Sequence, residues 1–70
     1  MKMMKEMTVD EFAARVKELR LAFGLTQKEF ADKVGVTVVT ISRWENGHGR
    51  PSPLASRHLE KLKQKLAKKE

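Results

Sequence analysis

The sequence predicts an all-α fold, a compact bundle of four helices. Three observations carry the prediction. Threonine capping signals recur three times, each preceded by an apolar residue and followed by another at the fourth helical position. A glycine closes each of the three runs that these signals open. Within the runs, apolar residues recur every three or four positions, as they must to line one side of a helix.

The first helix is placed at residues 8–23. Thr8 and Glu11 form a capping box, in which the hydroxyl accepts the third backbone N–H and the carboxylate reaches back to the cap. Met7 and Phe12 staple the entry. Val9, Phe12, Val16, Leu19 and Phe23 make one apolar stripe, and Gly24 ends it. The second helix, 26–34, repeats the grammar: Thr26 with Glu29, Leu25 with Phe30, an apolar side of Phe30, Ala31 and Val34, then Gly35. The third, 37–46, opens at Thr37 without the glutamate, is stapled by Val36 and Ile41, and turns Ile41 and Trp44 inward before Gly47. Its β-branched run from Val36 to Ile41 could pass for a strand, but no second run offers it a partner. The fourth, 52–67, starts with Ser52 as cap and Pro53 at the first helical position, where a missing N–H does no harm. Ala55, Leu59, Leu62 and Leu66 form its stripe, and Lys65, Lys68 and Lys69 suit the negative end of its dipole. The chain thus divides into a flexible tail at 1–7, one domain at 8–67 and a basic end at 68–70.

Seventy residues allow one domain with a small core. Cysteine is absent, and His48 and His58 lack the spacing of a zinc pair and read as a loop residue and a helix-surface residue. No carboxylate cluster and no nucleophile–base arrangement is visible, so no catalytic residue, metal ligand or cofactor is expected. No stretch approaches the roughly 18 apolar residues of a membrane span. The start from Met1 to Met7 lacks the apolar core of a signal peptide, and a cytoplasmic protein is expected. Charge is the informative quantity. The net charge is +6, yet residues 1–42 carry seven basic and six acidic side chains, whereas residues 43–70 carry eight and three. A small domain with lopsided positive charge implies a polyanionic partner.

The second and third helices are joined by Gly35-Val36, a short glycine turn of the helix-turn-helix kind. Ala31 leaves room for the third helix to approach. The outer surface of that third helix cannot be apolar-buried at every position, because a helix turns about 100° per residue. Val38 and Val39 therefore face outward, where they could touch thymine methyl groups. Arg43, one turn later, could make the two-pronged contact to guanine O6 and N7. Gln27 at a helix N-terminus suits a phosphate. Beyond Gly47, His48 and Arg50 are further phosphate-contact candidates.

These residues resemble a known family. Gly24-Leu25-Thr26-Gln27, Ala31, Val34-Gly35-Val36 and Ile41-Ser42-Arg43-Trp44-Glu45-Asn46-Gly47 are similar to the Cro/XRE-type helix-turn-helix DNA-binding proteins, over roughly residues 8–62. The resemblance implies a lambda-repressor-like bundle, commonly of five helices, although here one long basic helix follows Pro51. It implies base-edge positions at Thr37, Val38, Val39 and Arg43, phosphate positions at Gln27 and Asn46, and a salt bridge between Arg20 and Glu45. Val38 and Val39 stand where phage repressors often have polar readers. The ending Pro51-Ser52-Pro53-Leu54 is more similar to the DNA-binding half of some antitoxins.

The leading expectation is a transcriptional repressor that binds a pseudo-palindromic double-stranded operator as a homodimer. The alternative is an antitoxin that binds a toxin protein and represses its own promoter. A nuclease and a membrane-surface peptide are the remaining classes. The first lacks a catalytic cluster. The second would need the fourth helix's apolar stripe, which the core requires.

Overall fold

A computed structural model describes residues 6–67. It consists of α1 (Val9–Ala22), α2 (Gln27–Val34), α3 (Val38–Glu45) and α4 (Pro53–Ala67), with no strand among the described residues. The expected helices are all present, and the four-helix form, not the five-helix one, is the one found. The basic end at 68–70 and the first five residues lie outside the described part. Met7, assigned above to the tail, is buried, so the packed unit already includes it.

The caps form as the sequence predicts. Thr8 and Glu11 exchange hydrogen bonds with each other's backbone N–H at 3.2 and 2.9 Å, and Thr26 with Glu29 at 3.1 and 2.9 Å. Thr37 caps α3 by accepting from the Thr40 N–H at 3.2 Å. Helix ends and helix starts are fused. The Leu25 N–H donates back to the Arg20 carbonyl, and the Val36 N–H to the Ala31 carbonyl. Leu25 and Val36 therefore each close one helix and, as the residue before a threonine cap, open the next. The reversal requires the preceding glycine to be left-handed, and Gly24 and Gly35 have φ of 68° and 87°.

The core is a single cluster. Phe12, Val16 and Leu19 from α1 meet Phe30, Ala31 and Val34 from α2, Ile41 and Trp44 from α3, and Ala55, Leu59 and Leu62 from α4. Phe12 meets Trp44 edge to face, with ring centroids 5.3 Å apart. Trp44 is thus a core residue. Val9 and Phe23, at the ends of the α1 stripe, are only half-buried.

The structure corrects one reading of α4. His58, expected on the helix surface, is half-buried, and its Nδ1 lies 2.7 Å from the Val34 carbonyl oxygen. A carbonyl only accepts, so Nδ1 carries the proton. His58 therefore satisfies one of the carbonyls left open at the end of α2 and ties α4 to the helix-turn-helix.

Candidate nucleic-acid interface

The position of α3 is fixed from both sides. Ile41 and Trp44 anchor it in the core. Its last residue, Glu45, is held by a polar clamp. Arg20 of α1 donates from Nε to Glu45 Oε2 at 2.7 Å and from Nη2 to Oε1 at 3.1 Å. Its third nitrogen, Nη1, donates to the Leu25 carbonyl at 3.0 Å. Gln27 of α2 donates from Nε2 to Glu45 Oε1 at 3.2 Å. The two charged side chains are only 13% and 6% exposed. The hydrogen bond to Glu45, with its negative charge, raises the Arg20 pKa against the opposing effect of burial. A carboxylate at a helix C-terminus opposes the helix dipole, and the guanidinium offsets that cost. One clamp thus joins α1, the α1–α2 turn, α2 and α3. Among the described residues no buried side-chain nitrogen or oxygen lacks a partner.

The clamp leaves the other side of α3 open. Val38 and Val39 are 41% and 63% exposed. Arg43 is exposed and lies four positions after Val39, hence beside it on one helix face. Thr37 is exposed, with its hydroxyl 2.9 Å from that of Thr40. The structure also brings together residues that the sequence could not connect. Arg43, His48 and Arg50 line one open groove of about 210 Å³ with Thr40, Trp44 and Gly49. Two arginines and a histidine therefore border a recess that begins on α3 and continues into the loop. The loop turns because the His48 N–H donates back to the Arg43 carbonyl at 2.8 Å. It then runs close to the Trp44 ring at Gly49.

Two of the phosphate-contact candidates already engage protein groups. The Gln27 amide holds Glu45, so an anion at this helix end would meet its second amide hydrogen or the backbone N–H of the first helical residue. The Asn46 amide caps its own helix, donating to the Ser42 carbonyl at 2.8 Å. His48 and Arg50 are exposed. Sequence reasoning missed the Gln27–Glu45 bond and Thr40 as a wall of the groove. Neither has a local signal, since both depend on how separate segments pack.

An exposed outer helix, a glycine turn and a buried clamp behind them define a DNA-binding helix-turn-helix domain. Comparison with known proteins agrees. The helix-turn-helix family model matches residues 16–62, and the chain belongs to the Cro/C1-type helix-turn-helix family. The chain is 48% identical over 50 residues to the Type II methyltransferase M1.ScrFI of Lactococcus lactis subsp. cremoris, covering 67% of this chain and 13% of that protein. It is 46% identical over 46 residues to the Type II methyltransferase M.SsoII of Shigella sonnei, covering 61% of this chain and 12% of that protein. The chain thus spans about an eighth of the length of these curated relatives. No solved structure matches the chain significantly. Among the described residues, no helix is long and apolar enough to cross a membrane.

Proposed function

We propose that this unit is the sequence-specific DNA-binding module of a transcriptional repressor, with α3 lying in the major groove of double-stranded DNA. The observation that carries the reading is the division of α3 into a clamped inner side and an open outer side bearing Val38, Val39 and Arg43. Arg43 reads guanine through O6 and N7, and Thr37, Val38 and Val39 lie against neighbouring base edges. Gln27, Asn46, His48 and Arg50 hold the phosphates on either side and set the register without specifying sequence. The excess of basic residues after position 42 supplies non-specific attraction. Two copies occupy a pseudo-palindromic operator with half-sites one turn apart. No catalytic step is assigned to this unit, because the likeness to the methyltransferases falls on a minor part of those proteins. The antitoxin alternative gains no observation from the fold.

Selection of bound duplexes from a random pool tests the proposal. An enriched, symmetric pair of half-sites about 10 base pairs apart is the expected result. A pool that stays random after repeated rounds would refute it.

A further inference from the structure

Val38 and Val39 are out of place if α3 has only polar work to do. They are exposed apolar side chains on a short helix whose other described outward positions, Thr37 and Arg43, are polar or charged. Local structure gives no reason for them, since β-branched residues are indifferent helix formers. Val39 lies beside Arg43 on one helix face, and Arg43 borders the groove that also holds Arg50. An apolar patch edged by cations fits an anionic partner that offers an apolar group, and a major groove offers one. The C5-methyl of thymine is the apolar feature on a base-pair edge there. The same methyl, on the same ring carbon, distinguishes 5-methylcytosine from cytosine.

We infer that Val38 and Val39 form a receptor for a pyrimidine C5-methyl group, so that the protein binds DNA according to its cytosine methylation state. The inference rests on α3 being the major-groove helix. Its chemistry is specific. A valine has no donor or acceptor, so it cannot tell the O4 of thymine from the N4 amine of cytosine. What it can sense is whether C5 carries a methyl group. At the position it faces, thymine and 5-methylcytosine should bind alike and better than uracil and cytosine. A polar reader would instead pair thymine with uracil, and cytosine with 5-methylcytosine. Burying one such carbon is worth about fourfold in affinity, which is ~0.8 kcal/mol. The factor multiplies across half-sites.

The test uses the selected duplex and titrations by fluorescence anisotropy at one salt concentration. Each thymine is replaced singly by deoxyuridine and each cytosine by 5-methylcytosine. Every position that responds is then compared with all four pyrimidines, guanine or adenine being matched opposite. The proteins are the wild type, Val39→Ala, Val39→Thr and the double variant Val38→Ala/Val39→Ala. Both positions are exposed, alanine is the better helix former and threonine is close to valine, so the alanine variants melt no lower than the wild type and Val39→Thr melts close to it. The expected result is a position per half-site where the methyl group gives about fourfold tighter binding on either ring. That gain should shrink in Val39→Ala and Val39→Thr and vanish in the double variant. Two results overturn the inference: no pyrimidine position responds to its methyl group, or the response survives undiminished in the double variant. Both require selective binding to persist. Loss of all sequence preference in the wild type would instead overturn the major-groove reading on which the inference rests.

Discussion

Arg20 commits all three guanidinium nitrogens, two to Glu45 and one to the Leu25 carbonyl. A lysine could supply the charge but not this fork. Arg20→Ala leaves a carboxylate that is 6% exposed without its counter-charge, and a loss of about 3–5 kcal/mol in urea unfolding is expected. Arg20→Lys should lose less, about 1–2 kcal/mol, as the extra hydrogen bonds go. Glu45→Ala should be strongly non-additive with Arg20→Ala, and additive losses would show that the pair is not coupled. The pH dependence has a definite sign. The folded-state pKa of Arg20 is raised, so its contribution is complete below the ordinary arginine value and is lost only as pH rises through the folded one. Its share of stability should therefore be flat across the neutral range. The pair itself was legible in the sequence through the family resemblance. Its third partner was not: Gln27 stands 18 residues from Glu45, and their bond exists only because α2 and α3 pack.

The helices were almost wholly legible because their signals are local. Each threonine cap and each left-handed glycine acts within a few residues, so sequence spacing is enough to place it. Thr26→Ala should cost about 1 kcal/mol. Gly24 and Gly35 give a sharper test. A Cβ at Gly24 would meet nothing within 4 Å, and one at Gly35 would meet His58 at an ordinary 3.7 Å. Space does not distinguish them, and both have positive φ. Alanine at either should therefore cost about the same, ~1–2 kcal/mol, by thermal unfolding. A large loss at Gly35 alone would reveal a steric role. His58 was misplaced because nothing near it in the sequence points to Val34, 24 residues away. His58→Ala removes the hydrogen bond to the end of α2, and a loss of about 1 kcal/mol is expected.

For the whole molecule, self-association is the property the stripe of α4 raises. Leu66, at the end of that stripe, packs half-buried against the core, so only part of it is open to a partner copy. Among the described residues, Leu21 and Leu54 are the large exposed apolar side chains outside α3. The symmetric operator proposal expects a weak homodimer in free solution that DNA tightens, which sedimentation with and without the duplex can measure. One copy per full site would contradict the symmetric reading. The groove was less legible than the fold, since it forms only where the loop from Gly47 to Arg50 passes Trp44, a juxtaposition with no local signal. That groove separates two kinds of contact. Arg50, in the loop, is assigned to a phosphate, so Arg50→Ala should weaken binding to all duplexes and reduce the log–log salt slope by about 1. Arg43, on α3, is assigned to a base. The most direct measurement is therefore the affinity of Arg43→Ala for the selected operator and for a scrambled duplex at one fixed salt concentration. If α3 reads the major groove, Arg43→Ala loses about 1–3 kcal/mol on the operator beyond any loss on the scrambled duplex, and preference relaxes at one base position. Equal losses on both duplexes would contradict it.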